Sequence, residues 1–318
     1  MSVFTPVSRS ELETFLSAFD VGRLIDFSGI AGGSENSNFF VSCEQGEFVL
    51  TLIEREPVAA ELGFFTRLLD ALHTAGLPVP YAIRDREKRA LHQLNGKPAL
   101  LQPRLNGEHI DQPGVEHCAE VGRNLALLHD TTTASGLARD SDRWLDWMAA
   151  QGSSILPDLN AEDRALLEPV LASVERLRAH PPHLSEAVLH ADLFRDNVLF
   201  QGNRLTGLID FYNASSGWTL YDVAICVNDW CMNAEEQLDP ERTKALLAAY
   251  AAKRHFSAAD AECWPDMLQL AALRFWLSRR LAADQHGEQG GVLIKDPAHF
   301  QRILAGHRTV TVHLPIAF

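Results

Sequence analysis

One short stretch constrains what the whole chain can fold into: Val188-Leu189-His190-Ala191-Asp192-Leu193-Phe194-Arg195-Asp196-Asn197-Val198-Leu199-Phe200, followed by Leu208-Ile209-Asp210-Phe211. Apolar runs flank a polar cluster, so the stretch reads as short buried strands with a tight loop between them. His190 and Asp192 stand two apart, Asn197 lies five residues after Asp192, and Asp210 eighteen after Asp192. Two carboxylates and an amide around one loop offer oxygen atoms that suit a hard cation and a hydroxyl group. Such a loop needs a core behind it, and the remaining chain is expected to build one.

Before this stretch the pattern is mostly β. Residues 8–20 read as a short amphipathic helix with Ser10 as N-cap and Glu13 three residues on. Strands are expected over 24–30, 38–42 and 47–53, the last two closing a hairpin at Gln45-Gly46, so the run is an antiparallel meander. A helix is expected from Pro57 to Ala75, because Leu62, Phe65, Leu68, Leu69 and Leu72 fall at helical spacing and Pro78 and Pro80 follow. Further strands are expected over 81–83, 90–94 and 97–102. The loop at Gly32-Gly33-Ser34-Glu35-Asn36-Ser37 permits close backbone approach and carries polar donors, so it suits either an ordinary turn or a phosphate cover. From Val115 onward the pattern turns helical, with helices over 143–150, 161–179, 221–231, 240–253, 258–283 and 297–312. The expected division is 1–102, a nucleotide-binding β lobe, and 103–318, a helical lobe carrying the 187–212 hairpin.

Composition narrows the chemistry. Lys plus Arg is 28 against 42 Asp plus Glu, a net charge of −14, which argues against a nucleic-acid partner. No apolar stretch reaches membrane-spanning length, so no membrane partner is expected. The five cysteines form no CxxC pair, and an odd count in a chain this size reads as free thiols in a reducing cytoplasm. The N-terminus shows no basic segment leading into an apolar run, so no secretory signal is expected.

The spacing H-x-D-x-x-x-x-N, with an acid at the end of the next hairpin strand, matches a phosphoryl-transfer loop and its metal-binding acid. Asp192 is then the catalytic base, accepting a hydroxyl proton as the P–O bond forms, while Asn197 and Asp210 are oxygen ligands for Mg²⁺. His190 orders the loop. Asp222 heads a helix, where an acid is favourable, and reads as structural.

The chain resembles the aminoglycoside phosphotransferase and choline kinase superfamily over nearly its whole length. The segments that carry the likeness are 33–41, 48–52, 189–199, Ile209-Asp210-Phe211, 221–224 and 273–281. The resemblance implies an α+β, protein-kinase-like two-lobed fold: a small antiparallel β-sheet lobe with one helix, and a larger, mainly helical lobe with the catalytic hairpin. It implies ATP and Mg²⁺, with Gly33, Ser34 and Asn36 over the phosphates and adenine held near Gln102 and Leu105. The superfamily often carries a lysine on the third strand, paired with a helix acid such as Glu61; here Thr51 stands in that place, with Arg55 or Arg67 as candidate substitutes.

The filling Leu193-Phe194-Arg195-Asp196 and the helix Leu273-Arg274-Phe275-Trp276-Leu277-Ser278-Arg279 resemble the homoserine-phosphorylating branch of that superfamily. That likeness implies a small-molecule substrate, L-homoserine. A substrate with a carboxylate and an ammonium calls for an arginine and an acid, and the candidates are Arg195, Arg274 and Arg279 with Asp229. Choline, ethanolamine, methylthioribose, hydroxylysine and aminoglycoside kinases stay open as alternatives, as does a nucleotide-binding regulatory protein without turnover.

Overall fold

The structure is a computed structural model that describes residues 3–30, 36–286, 296–308 and 312–316. These residues divide into two compact units. One holds those of Met1–Gly107 with Gly207–Tyr212; the other holds those of Glu108–Thr206 and those from Asn213 onward.

The first unit is built on a five-stranded antiparallel sheet in the order β1-β2-β3-β5-β4, from β1 (Leu24–Gly29), β2 (Ser37–Cys43), β3 (Gly46–Leu52), β4 (His92–Leu94) and β5 (Lys97–Pro103). Every second residue of β2 turns inward, so Phe39, Val41 and Cys43 are buried while Asn38, Phe40 and Ser42 are less so. That is the period-2 alternation of a strand with one face on a core. Phe48, Leu50 and Leu52 of β3 and Leu101 of β5 extend the same layer. Helix α1 (Arg9–Leu16) covers it with Leu12, Phe15 and Leu16, followed by Phe19 and Val21.

Four local readings are corrected here. The α1 N-cap is Ser8, not Ser10. The S-x-x-E pattern occurs twice in a row, and it is Ser8 whose side chain and backbone exchange bonds with Glu11 in a capping box. The single helix expected from Pro57 is two, α2 (Glu56–Ala60) and α3 (Leu62–Thr74), broken at Glu61, whose φ of −103° and ψ of 7° leave the helical range. Gly63 in the first turn of α3 weakens helical continuity there. Residues 81–83 form no strand and make one sheet-like bond, from Ile83 N to Leu101 O. β5 runs one residue past 102, to Pro103.

The second unit is mostly helical. Helices α4 (Val115–Ser135), α5 (Leu145–Ile155) and α6 (Ala161–Ala179) precede the strands β6 (Glu186–Leu189), β7 (Val198–Gln201), β8 (Arg204–Leu208) and β9 (Ser215–Trp218). Helices α7 (Thr219–Trp230), α8 (Pro240–Ala251), α9 (Ala258–His286) and α10 (His299–Gly306) follow. β6 pairs antiparallel with β9, and β7 with β8. Gly122 lets α4 lie close against α8, because a Cβ there would collide with the Leu246 carbonyl. That close approach brings His129 of α4 within reach of Tyr250 of α8. α7 is buried at every residue, so it serves as the post against which the loop after β6 is set.

Candidate active site

The loop after β6 takes its shape from backbone that cannot relax. Ala191 has φ of +61°, a left-handed conformation that costs a non-glycine residue of the order of 1 kcal/mol or more. Asp222 of α7, fully buried, holds it there: one carboxylate oxygen accepts the Ala191 N–H at 2.9 Å and the other accepts the His190 N–H at 2.9 Å. The second oxygen also faces His129 Nε2 at 3.0 Å, and His129 Nδ1 faces the Tyr250 hydroxyl at 2.8 Å. A carboxylate only accepts, so Nε2 carries the proton and Nδ1 accepts from Tyr250. Burial pushes the Asp222 pKa up, but the bonds from His129 and the His190 backbone outweigh it and hold the group below its ordinary value. Burial holds His129 below its usual value despite the neighbouring carboxylate. The Asp222 reading as structural is thus given partners: it is the clamp of the loop.

Apolar anchors complete the loop. Leu193 is fully buried and its carbonyl accepts from Trp230 Nε1 at 2.9 Å. Phe194 packs on Phe275 and Phe300, with ring centroids 4.4 and 5.5 Å away. Between these anchors, Asp192 Oδ2 accepts from Asn213 Nδ2 at 3.1 Å. Asn197 closes a 3₁₀ turn and its amide nitrogen donates to the Asp192 carbonyl at 2.8 Å. The Asn197 amide oxygen is therefore the atom left to face a hard cation, which fits Mg²⁺. Asp210 is exposed and has φ of +62°, and it follows β8 in a segment that belongs to the sheet unit. Among the described residues no cluster of three His, Cys, Asp or Glu side chains forms a metal cage.

The four candidate substrate contacts fall into two kinds. Arg195 and Asp229 pair with each other: Asp229 Oδ2 accepts the Arg195 backbone N–H at 2.7 Å and its Nε at 3.2 Å, and Oδ1 accepts Nη2 at 3.3 Å. Two separate contacts for an anion and an ammonium become one ion pair, which sequence separation of 34 residues concealed. Arg274 is buried, lies over the Phe275 ring at 4.0 Å, and reaches Asn213 Oδ1 at 3.5 Å. Arg279 is half-buried over Phe300 at 4.5 Å and donates to the Asp296 carbonyl at 3.4 Å. Burial lowers its pKa, opposed by the charges of Asp229, Asp196 and Asp192. Asn213, His129 and Tyr250 were not singled out from the sequence. Only their long-range partners reveal them.

In the sheet unit, Gly33 and Ser34 lie outside the described residues. Asn36 is buried and its side-chain oxygen accepts the Glu54 N–H at 3.2 Å. Thr51 donates to Asn38 Oδ1 at 2.8 Å and lies 3.5 Å from Gln102 Oε1, while Gln102 Nε2 donates to the Pro80 carbonyl. The strand position of the expected lysine is therefore a neutral, hydrogen-bonded cluster. Leu105 follows β5 and is half-buried. All five cysteines are free, and among the described residues no helix is long and apolar enough to cross a membrane.

Comparisons with known proteins show which family the chain is similar to. Residues 26–256 match the family described as "Phosphotransferase enzyme family". A protein of Pseudomonas aeruginosa (strain UCBPP-PA14) named homoserine kinase is 60% identical over 317 residues, covering 100% of both chains. A homoserine kinase of Methylobacillus flagellatus is 43% identical over 307 residues, covering 96% of this chain and 94% of its own. Among solved structures, a spectinomycin phosphotransferase in complex with ADP and spectinomycin aligns with a TM-score of 0.71 at 12% identity, over 96% of this chain and 99% of that one. An amicoumacin kinase in complex with AMP-PNP and Ca²⁺ aligns at 0.70 and 13% identity, over 98% and 96%. The fold is thus the kinase-like α+β fold expected from the sequence, and the chain belongs to the phosphotransferase enzyme family.

Proposed function

We propose that the chain transfers the γ-phosphoryl group of ATP to the terminal hydroxyl of L-homoserine, giving O-phospho-L-homoserine and ADP. The observation that carries this reading is the 60% identity, end to end, with relatives named homoserine kinase. The loop geometry supplies a mechanism. Asp192 accepts the hydroxyl proton as the new O–P bond forms, while the bond between the γ-phosphorus and the β-phosphate oxygen breaks in line. The Asp222 clamp and the Leu193 and Phe194 anchors hold Asp192 against the hydroxyl, so little reorganisation is left for the reacting state.

Asn197 and Asp210 would hold Mg²⁺, which when bound screens the β- and γ-phosphates. The substrate side falls to Arg279, with its charge only partly buried, and to the Arg195–Asp229 pair, which can offer its remaining acceptor capacity to an ammonium. Gly33, Ser34 and Asn36 are assigned to the phosphates, and the segment around Gln102 and Leu105 to adenine. A cytoplasmic setting follows for an enzyme that draws on ATP and free amino acids.

A coupled ADP-release assay with ATP, Mg²⁺ and a panel of hydroxylated small molecules tests the assignment. The expected outcome is a kcat/KM for L-homoserine well above those for choline, ethanolamine, methylthioribose, hydroxylysine and aminoglycosides. Equal or higher values for any of these would overturn the substrate.

A further inference from the structure

A cavity of about 280 Å³ opens where the start of α7, the end of α8 and the start of α9 meet. Tyr250, Phe256, Thr219 and Leu220 are buried in its wall, and Lys253 stands exposed at it. None of Asp192, Asn197 and Asp210 lines it. Its size stands at the lower end of the range of about 300–1,000 Å³ for ligand pockets, so it suits a molecule smaller than a nucleoside triphosphate.

The charges around the cavity are unevenly engaged. Asp130 accepts from Arg254 Nη1 at 2.7 Å. Asp260 accepts the Ser257 N–H and hydroxyl, both at 2.7 Å, at the start of α9. Lys253 forms no ion pair among the described residues. It belongs to the basic run Lys253-Arg254-His255, in a chain whose net charge is −14. With both carboxylates already bonded within the protein, the charge left to a ligand is cationic. An ammonium only donates, and a charged donor bonds most strongly to an oxyanion. Tyr250 joins this cavity to the loop after β6. Its hydroxyl donates to His129 Nδ1, His129 Nε2–H donates to Asp222, and Asp222 accepts the N–H groups of His190 and Ala191. Asp130 follows His129 in α4, so the Arg254–Asp130 pair and the Tyr250–His129 bond tie α4 to the end of α8 at adjacent positions.

We propose that this cavity is an effector site for a small oxyanion-bearing molecule, a carboxylate or a phosphate monoester, held by Lys253 and Arg254. The bound anion tightens the end of α8 against α4, and with it the Tyr250–His129–Asp222 relay that clamps His190 and Ala191. The site stands whether or not L-homoserine is the phosphoryl acceptor.

Isothermal titration of the full chain tests the site, with ADP and Mg²⁺ at saturation to fill the nucleotide site and chloride as the buffer anion. Inorganic phosphate and succinate are the probes, and the pair separates a phosphate ligand from a carboxylate one. At least one is expected to bind. Lys253→Glu should weaken that binding by about 10- to 100-fold, the worth of one charge-assisted hydrogen bond, while keeping the parental kcat/KM in chloride buffer. Hydrogen exchange reads the coupling. The bound anion should slow exchange at the His190 and Ala191 amides of the parent, and Tyr250→Phe should keep the anion affinity but lose this protection. Binding of neither anion, or equal affinity in Lys253→Glu, overturns the site. Binding that leaves exchange at His190 and Ala191 unchanged overturns the effector role.

Discussion

The two units bury polar side chains in opposite ways. In the sheet unit the buried polar residues are mainly neutral, Asn36, Ser37, Thr51, Thr66 and Gln102, with Asp85, bonded to Arg89, the charged exception. In the helical unit the interior holds ionisable groups, His129, His190, Asp222, Asp229 and Arg274, several of them bonded to the segment 190–195 or to each other. Neutral hydrogen bonds contribute about 1 kcal/mol each and tolerate loss, whereas removing one member of a buried ionic cluster leaves its partners desolvated. The difference shows where the molecule demands precision. The sheet unit satisfies its polar atoms, and the helical unit uses charge to fix a strained loop.

Removing the clamp is the strongest way to break this comparison. Asp222→Ala strips the acceptors from two backbone N–H groups and from His129. We expect a loss of about 3–5 kcal/mol in urea unfolding; a loss below about 1 kcal/mol would mean that the loop does not depend on the buried carboxylate.

Acid provides the next test. Burial lowers the pKa of His307 from 6.5 to about 4, with its ring bonded to Asn228. The unfolded chain then takes up a proton that the folded chain refuses, so this stability is complete above pH 6.5 and declines as pH falls toward 4. The loss reaches about 3 kcal/mol for a shift of that size. His129 acts in the same direction, and Asp222 adds its part only below its ordinary value of 3.8. Urea midpoints at pH 7.5 and 4.5 should differ accordingly, and His307→Asn should narrow the gap. An unchanged gap in that variant would remove His307 from the account.

The sheet unit should respond far less. Thr51→Val deletes the bond to Asn38 and is expected to cost about 1 kcal/mol, with KM for ATP unchanged. A large rise in that KM would instead give Thr51 the phosphate-clamping role of the absent lysine. Tyr221 marks the small end of the scale: its hydroxyl is buried and makes no hydrogen bond among the described residues. Tyr221→Phe should leave the urea midpoint at or slightly above that of the parent, and a clear drop would reveal a partner for the hydroxyl.

What could be read from the sequence follows from how local each feature is. Asp192, Asn197 and Asp210 sit at fixed short spacing on one hairpin, and alternation in β2 and β3 is written residue by residue. The helical unit's charge pairs are not local: His129 and Asp222 lie 93 residues apart, Arg195 and Asp229 34, and Asn213 and Arg274 61. Packing of α4, α7, α8 and α9 decides those meetings, and helical periodicity says only which faces are apolar. The N-cap failed for a different reason, since two overlapping capping patterns compete and the buried face of Leu12, Phe15 and Leu16 selects Ser8.

The central claim is that the clamped loop presents Asp192 as the base for transfer to L-homoserine. The most direct measurement is the rate of O-phospho-L-homoserine formation by Asp192→Asn beside the parent enzyme, with ATP binding followed separately. The account predicts a fall in kcat of about 10²- to 10⁴-fold with ATP affinity retained; a rate within tenfold of the parent would contradict it.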